Sequence, residues 1–347
     1  MSKNKKANGK RAVLIVLVVF LSLVLVILVA GTVFVTGMLN KLSRPENQET
    51  LSQSDIEQIL IDEPEITDPE FTGEVLNSDD VNLSESPVDS VEIGENTVSI
   101  LLVGQDARDI NTRSRSDSMI LCTIDKSTAT LTMTSFMRDM YVKIPNHFNQ
   151  RLNVAYMLGG FDTLYDTLAH NFGVQVDQGV AVNFFAFTDV IDTIGGVEIE
   201  LTSAEASHLN EQNYAWGLVE GKNHLNGDAA LAYARIRKVG GGGDFDRTNR
   251  QRTVITALIA KAKSLSMTEL YSLIDTLIPL VSTDMSNAEI VGMVMELAPL
   301  LPKLTIVSQR IPIDDAYKMT MIDGMSVLLP DLEKNRQFLL DSIGNTQ

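Results

Sequence analysis

The feature that most restricts this 347-residue chain is a long run near its N-terminus that contains no charged residue. Residues 12–37 read AVLIVLVVFLSLVLVILVAGTVFVTG. About 20 apolar residues cross the hydrocarbon core of a bilayer, so this run is long enough to span one with some tilt. A signal peptide has a shorter apolar core and a small-residue cleavage site, and no such site follows residue 37. The run predicts an uncleaved transmembrane helix, and a signal peptide that is cleaved later is the alternative.

Charge is distributed unevenly along the chain, whose net formal value is −17. Residues 1–11 contain five basic residues and no acid, whereas residues 45–95 contain sixteen acids and no base. A basic segment before a transmembrane helix stays in the cytoplasm, which places the residues after 37 outside the cell. The acidic stretch has too few apolar residues to offset the entropy of ordering it. We expect a cytoplasmic basic tail at 1–11 and an acidic, disordered extracellular linker at 38–95.

From residue 96 onward the pattern becomes that of an α/β domain. Apolar runs of strand length alternate with amphipathic stretches of helix length, which favours a mixed central β-sheet flanked by helices. Strands are predicted at 98–103, 119–124, 130–136, 179–183, 197–201 and 304–309, and helices at 155–172, 184–194, 225–235, 246–264, 270–281 and 287–300. We expect one extracellular domain over residues 96–345.

The cysteine content indicates the compartment. Cys122 is the single cysteine, so the chain forms no intramolecular disulfide, and it lies within a predicted apolar strand. An exported domain of this size without disulfides is more typical of a Gram-positive-like cell surface than of a disulfide-rich secreted framework.

Arginine is the informative residue type of the domain. Arg113 and Arg115 lie in the loop GQDARDINTRSRSD, which follows the first strand, and Arg138 follows the third strand. The run YARIRKVGGGGDFDRTNRQR contains the largest group, comprising Arg235, Arg237, Arg247, Arg250 and Arg252. Guanidinium groups bind phosphate through paired N–H donors, so several of them near element ends predict a binding site for a diphosphate. Ordinary surface ion pairs with nearby aspartates are the alternative.

The spacing of these residues adds to the prediction. Arg247, Arg250 and Gln251 stand at i, i+3 and i+4 where a helix begins, so they are expected to share one face beside free backbone N–H groups. Arg235 and Arg237 stand two residues apart and point the same way if the backbone there is extended. Both groups would then face one anion.

Two aspartates, Asp106 and Asp117, flank the arginine-rich loop. Mg²⁺ is usually held by one or two carboxylates together with water and phosphate oxygens, so this pair is the simplest candidate to hold Mg²⁺ against a diphosphate. Capping of the loop by the two side chains is the alternative.

Other chemistries find no support in the sequence. The chain has no P-loop, no His-Glu-x-x-His pair and no Gly-x-Ser-x-Gly elbow, and its four histidines are scattered. The predicted domain is net negative and has no basic stripe interleaved with aromatics, which argues against a nucleic-acid partner.

Seven stretches together resemble the LytR–CpsA–Psr family of membrane-anchored cell-envelope proteins. In chain order they are LLVGQDAR, RSRSDSMIL, FMRDMYVKIP, RLNVAY, GGVEIEL, LNGDAALAYARIRK and GDFDRTNRQR. The resemblance implies a mixed sheet flanked by helices, with an apolar tunnel for a polyprenyl chain. It also implies transfer of a glycopolymer, similar to teichoic acid or capsule, from a polyprenyl diphosphate to peptidoglycan as a phosphodiester. Met137 departs from the pattern, since the family often has proline there.

The resemblance also implies roles for individual residues. Asp106 and Asp117 would bind Mg²⁺ or Mn²⁺, and either could accept the proton of the attacking hydroxyl. The diphosphate would be held by Arg115, Arg138, Arg235, Arg237, Arg247 and Gln251, with Arg115 also counted as catalytic. The apolar positions Phe184, Phe185, Phe187, Ile191, Val254, Leu258 and Ile259 either line the lipid channel or belong to an ordinary core.

Two other functions stay open at this stage. In the first alternative, the chain is a non-catalytic protein that binds polyprenyl diphosphates or regulates envelope assembly. In the second, it is a hydrolase that cleaves the polyprenyl diphosphate with water as the acceptor.

Overall fold

The computed structural model describes residues 73–91, 93–94, 96–105, 112–214, 217–265 and 278–344, with isolated positions between 37 and 54. At residues 184, 185 and 279 it describes the backbone only. Contacts divide the chain into two units, Met1–Leu42 and Ser43–Gln347, and every element named below belongs to the second. Apart from Gly37, the predicted transmembrane helix lies outside the described residues. Among the helices that are described, none has the length and apolar character needed to cross a membrane.

The strands are β1 (Glu74–Leu76), β2 (Thr97–Gln105), β3 (Ser116–Asp125), β4 (Thr130–Phe136), β5 (Tyr141–Val142), β6 (Gln150–Arg151), β7 (Gln178–Asn183), β8 (Val197–Leu201), β9 (Gly221–Leu225), β10 (Val281–Thr283), β11 (Thr305–Ile311), β12 (Tyr317–Ile322) and β13 (Met325–Pro330). The helices are α1 (Asn153–Phe172), α2 (Phe184–Thr193), α3 (Ser203–Glu211), α4 (Gly227–Arg235), α5 (Asp244–Ala262), α6 (Asn287–Leu297) and α7 (Leu332–Ile343). The short segment Ala298–Lys303 is a 3-10 helix.

A mixed sheet lies at the centre, in the strand order β10-β7-β2-β3-β4-β11. Strands β2, β3 and β4 are antiparallel neighbours, β7 is parallel to β2, and β11 is parallel to β4. The predicted mixed α/β architecture is therefore confirmed. Because β3 and β4 are antiparallel, the start of β3 lies beside the end of β4, which places two sequence-predicted charged segments at one edge of the sheet.

Both faces of the central sheet are apolar because successive strand residues point to opposite sides and each side is covered by helices. The face toward α1 is formed by Leu101, Val103, Met119, Leu121 and Phe136. The opposite face is formed by Ile120, Cys122, Leu131 and Met133, against which Ile255 and Ile259 of α5 pack. Helix α1 bends at Gly160, whose φ of +70° is a conformation that glycine adopts without strain.

A second apolar core lies under α2, α3 and α4. Strands β8 and β9 form an antiparallel pair, and their inward side chains meet α4 through Ile199, Leu201, Leu225, Ala230 and Tyr233. This unit holds α4 and the segment after it in a defined position. It is therefore the scaffold for Arg235 and Arg237.

Ordered structure begins before residue 96, although a disordered linker was predicted for residues 38–95. Strand β1 pairs in parallel with β12, and Leu83 packs with Ile322 and Val327 in a small core. Strand β1 could not be predicted because three residues in an acidic stretch show no periodicity. Its partner strand is also distant in sequence: Glu74 and Thr320, which face each other, are 246 residues apart. The prediction of disorder does not hold for residues 73–91.

The helix predicted at 225–235 is shorter than expected. Residues Gly221–Leu225 form β9 because they pair with β8, and α4 then begins at Gly227. Its N-cap is Asn226, whose Oδ1 accepts a hydrogen bond from the backbone N–H of Ala229 at 3.0 Å.

The helix predicted at 246–264 begins two residues earlier, at Asp244. Asp246 is therefore inside the first turn and is not the N-cap, and its Oδ2 accepts a hydrogen bond from the backbone N–H of Gly242 at 2.9 Å. Most of the helix predicted at 270–281 lies outside the described residues, and its last position is the first residue of β10.

Candidate functional site

The candidate site begins where β3 starts and β4 ends. Arg138, two residues beyond β4, donates a hydrogen bond from Nη1 to Asp117 Oδ1 at 2.6 Å. Asp117 is the second residue of β3, so the antiparallel register brings the two side chains to the same sheet edge. Arg138 Nε also lies 3.6 Å from an oxygen of its neighbour Asp139.

Asp244, the first residue of α5, is the common partner of three arginines. Arg247 contacts both of its carboxylate oxygens, with Nη2 donating to Oδ2 at 2.9 Å and Nε lying 2.6 Å from Oδ1. Arg138 Nε and Arg237 Nε each lie 3.8 Å from Oδ1. We call Arg138, Arg237 and Arg247 the arginine cluster. Among the described ion pairs, Arg237 and Arg247 contact this carboxylate alone, whereas Arg138 also contacts Asp117 and Asp139.

The arginine cluster perturbs the ionisation of its own members. Burial lowers the pKa of Arg237, and the neighbouring charges of Arg138 and Arg247 lower it further. For Arg138, burial also acts to lower the pKa, but the carboxylates of Asp139, Asp117 and Asp244 outweigh it and the pKa is raised. Burial raises the pKa of Asp139. An anion bound beside Arg237 would relieve the mutual repulsion of these cations.

One guanidinium donor of the arginine cluster makes no hydrogen bond to the described residues. Arg138 Nε is buried, and the nearest carboxylate oxygens, of Asp139 and Asp244, are 3.6 and 3.8 Å away. Arg247 Nε also makes no aligned hydrogen bond, but it lies 2.6 Å from Asp244 Oδ1, so the carboxylate already occupies its donor side. A buried donor without an acceptor costs about 1–3 kcal/mol, so a ligand with several oxygen atoms would be stabilised here.

Next to the arginine cluster lies an apolar cavity of about 240 Å³. Its wall is made by strands β2, β3 and β7 and by helices α2, α4 and α5, with Leu102, Ile120, Val180, Phe187, Leu231 and Leu258 among the lining residues. Polar atoms reach it from Arg235 and Gln251, and Gln251 Oε1 accepts a hydrogen bond from Ser118 Oγ at 2.9 Å. We call this space the apolar cavity. It can take a hydrocarbon chain whose polar end meets arginine.

The structure distributes the predicted lipid-channel residues between the cavity and the core. Phe187 and Leu258 line the apolar cavity. Ile191 and Val254 are completely buried in the core under α4, and Ile259 packs against the sheet. The side chains of Phe184 and Phe185 are outside the described residues.

The structure brings most of the predicted site residues together. Asp117, Arg138, Arg237 and Arg247 lie around Asp244, whereas Arg235 and Gln251 line the apolar cavity. Arg115 directly precedes β3. Asp106 lies outside the described residues.

Arg250 does not share the site-facing side of α5, and this spacing prediction was wrong. Its Nε donates to Glu205 Oε1 at 2.7 Å, and its Nη1 and Nη2 donate to the backbone oxygens of Ile236 at 3.1 Å and Val239 at 2.8 Å. The i and i+3 positions diverge enough for Arg250 to turn toward α3. Arg250 instead holds the segment that carries Arg237.

Two residues of the site, Asp139 and Asp244, were not predicted from the sequence. Asp244 could have been found from its position three residues before Arg247 at the start of a helix, a spacing that favours an ion pair. Asp139 carries no signal beyond its place next to Arg138.

Of the two aspartates predicted to hold a divalent cation, the structure describes Asp117. Within the described part of the chain, no three His, Cys, Asp or Glu side chains are grouped to hold a metal ion. Mg²⁺ does not need such a group, because one or two carboxylates and phosphate oxygens suffice. Asp117 supplies one carboxylate next to the arginine cluster.

The chain is similar in sequence to a protein family and to several named proteins. The LytR_cpsA_psr family model matches residues 70–340. Two relatives are called polyisoprenyl-teichoic acid–peptidoglycan teichoic acid transferase TagU. The one from Bacillus licheniformis is 37% identical over 190 residues, which are 54% of this chain and 60% of that protein. The one from Bacillus subtilis is 38% identical over 169 residues, 48% of this chain and 53% of that protein. The chain thus spans little more than half the length of these relatives.

Solved structures share the fold over more of the chain. A structure of TagT bound to LIIa-WTA is 27% identical, with a TM-score of 0.60, and the match covers 76% of this chain and 99% of that one. The crystal structure of TagV from B. subtilis is also 27% identical, with a TM-score of 0.56 over 72% of this chain and 98% of that one.

Proposed function

Because the chain belongs to the LytR_cpsA_psr family, we propose that it is an enzyme that transfers a glycopolymer from a polyprenyl diphosphate to peptidoglycan. The observation that carries the proposal is that Arg235 and Gln251 line the apolar cavity, two residues from Arg237 and one helical turn from Arg247 of the arginine cluster. A polyprenyl diphosphate has the same two parts, an anionic head and a hydrocarbon tail. The polymer is of the teichoic-acid or capsule type.

The chemistry requires positioning and charge stabilisation more than covalent help. An acceptor hydroxyl attacks the phosphorus next to the polymer, a new P–O bond forms, and the bond to the lipid phosphate breaks. Polyprenyl phosphate leaves with the bonding electron pair, and the hydroxyl proton passes to a carboxylate of the site, Asp106 or Asp117. Arg138, Arg237 and Arg247 stabilise the charge that develops on the phosphoryl oxygens.

Asp117, together with Asp106, would hold Mg²⁺ or Mn²⁺ at the sheet edge. The cation, when bound, would neutralise phosphate charge and lower the barrier to attack. Arg115 completes the group of side chains assigned to the diphosphate.

The uncharged run at 12–37 supports a further part of the proposal, namely a single-pass anchor in the cell membrane of a Gram-positive-like bacterium. The basic residues before it favour a cytoplasmic N-terminus. The domain would then be extracellular, where both the lipid carrier and peptidoglycan are accessible.

The proposal is tested with the full chain in detergent, a synthetic polyprenyl-diphosphate disaccharide and a peptidoglycan oligomer, with and without Mg²⁺. We expect a metal-dependent phosphodiester product and a loss of about 10²-fold in rate for Arg237→Ala. Arg237 is half-exposed, so this variant should fold. Lys222→Ala, at an exposed site away from the arginine cluster, is the matched control.

The competing functions give different results in the same assay. Tight binding of the lipid diphosphate without any product would indicate a non-catalytic binding protein. Release of polyprenyl phosphate with no transfer at any acceptor concentration would indicate a hydrolase.

A further inference from the structure

An open groove of about 470 Å³ lies beside α4, next to the side of the helix that faces the apolar cavity. It is bounded by the end of α3, the loop at Tyr214, the outer side of α4 and the segment that follows α4. Residues that line it include His208, Gln212, Tyr214, Asp228, Ala232 and Lys238. We call it the outer groove.

The outer groove and the apolar cavity lie against neighbouring sides of α4, and two residues of the helix line both. Leu231 and Arg235 line the cavity and the groove alike. Arg237 belongs to the arginine cluster and also lines the groove. The groove is therefore continuous with the candidate diphosphate site, and the two spaces meet at Arg235.

The lining of the outer groove combines apolar surface with hydrogen-bonding groups. Tyr214 is 50% exposed and supplies aromatic surface, and Leu231 and Ala232 add aliphatic surface. His208, Gln212 and Asp228 supply donors and acceptors between these patches. Sugar rings have apolar C–H faces and polar hydroxyl edges, so such a mixed lining matches carbohydrate.

Basic residues lie at one end of the outer groove and an acidic residue lies at the other. Arg235, Arg237 and Lys238 lie at the end near the arginine cluster, whereas Asp228 stands at the exposed first turn of α4. The carboxylate of Asp228 would repel a polyanionic chain, so the far part of the groove suits an uncharged glycan. This argues against the phosphate-rich polymer as the occupant.

We propose that the outer groove binds the acceptor glycan, and this inference rests on the proposed transferase function. The apolar cavity would hold the tail of the leaving polyprenyl phosphate. The groove meets the cavity at Leu231 and Arg235, so an acceptor bound in the groove would present its hydroxyl beside the diphosphate.

The test uses Tyr214→Ala and Asp228→Asn in the full chain in detergent, with Phe148→Ala as the control at an exposed aromatic elsewhere. Transfer from the synthetic polyprenyl-diphosphate disaccharide is measured against peptidoglycan oligomer concentration, and lipid-phosphate release is measured without acceptor. We expect KM for the oligomer to rise about fivefold to tenfold in both groove variants. The KM for the lipid donor and the release in water should not change.

Two outcomes would overturn the inference. An equal rise in the KM for the lipid donor would assign the outer groove to the sugars of the donor. Unchanged kinetics with both substrates would show that the groove contacts neither.

Calorimetric titration of the oligomer alone separates this inference from the proposed function. Suppose that the wild type turns over no lipid donor but binds the oligomer, and that Tyr214→Ala does not bind it. The assignment of the groove is then supported, and the proposed transferase function is refuted. If the oligomer binds wild type and Tyr214→Ala equally, the groove fails whatever the catalytic result.

Discussion

Replacement of Glu205 by Gln is expected to lower the free energy of unfolding by about 3 kcal/mol, because it leaves a buried guanidinium without its counter-charge. Arg250 Nε donates to Glu205 Oε1 at 2.7 Å, and the two side chains are only 7% and 8% exposed. Breaking a buried pair on one side costs about 3–5 kcal/mol. The lower end applies here because Arg250 keeps its bonds to two backbone oxygens.

The choice of Gln keeps the cap of α3. Glu205 also accepts a hydrogen bond from the backbone N–H of Thr202 at 2.9 Å through Oε2, as part of the capping box of α3. A glutamine carbonyl can accept the same bond, so the cap and the side-chain volume are kept. What is lost is the ion pair and the hydrogen bond with Arg250, because the amide N–H₂ then faces the guanidinium group. Part of the support for the backbone at Ile236 and Val239 is lost with them.

The same pair predicts a loss of stability in acid. Burial alone would raise the pKa of Glu205, but the hydrogen bonds from Thr202 and Arg250 lower it below the ordinary value of 4.5. A depressed folded-state pKa means that the stabilisation is fully present above the unfolded value and is lost as pH falls through the folded value. The difference between wild type and Glu205→Gln should therefore shrink below about pH 4.

The assay is urea unfolding of the full chain, followed by circular dichroism at neutral and acid pH. Glu198→Gln is the control, since Glu198 pairs with His224 at an exposed site and its loss should leave the midpoint unchanged. The double variant Glu205→Gln with Arg250→Met should recover part of the stability because no unpaired charge stays buried. An unchanged midpoint for Glu205→Gln would refute the reasoning.

Three further predictions concern the cavity, the arginine cluster and the cysteine. Leu258→Trp should fill part of the apolar cavity, so it should weaken binding of a long-chain polyprenyl diphosphate more than that of inorganic diphosphate, as measured by calorimetry. Asp244→Asn should tighten inorganic diphosphate binding, because three arginines lose the carboxylate they share; weaker binding by a folded variant would contradict this. Burial raises the pKa of Cys122 to about 12, so iodoacetamide should label it at pH 8 only in urea, as mass spectrometry would show.

Much of the local structure could be predicted from short stretches of sequence. The apolar runs at β2, β3 and β4 were expected as strands, and the helix predicted at 155–172 ends where α1 does. Gly173 caps that end with a φ of +72° and a backbone N–H bonded to Ala169 O. These features depend on neighbours within a few residues. The arginine content of the site could also be read directly, because no other part of the chain concentrates that residue type.

The site itself depends on pairings across the whole fold. Spacing within α5 predicted that Arg250 would join Arg247, but the position of Glu205 on α3 directs Arg250 away. Asp244 was overlooked because its importance comes from Arg138 and Arg237, which reach it from other elements.

The sequence by itself determined the α/β class, the main strands, the C-terminal end of α1 and the concentration of arginine in a few segments, since all of these follow from local pattern and composition. Only the tertiary structure decided which arginines share Asp244, that Arg250 is structural, and that an apolar cavity and a polar groove meet at α4. The reason is physical. Helix and strand propensities act between near neighbours, whereas a binding site is created when side chains far apart in the chain are packed into one place.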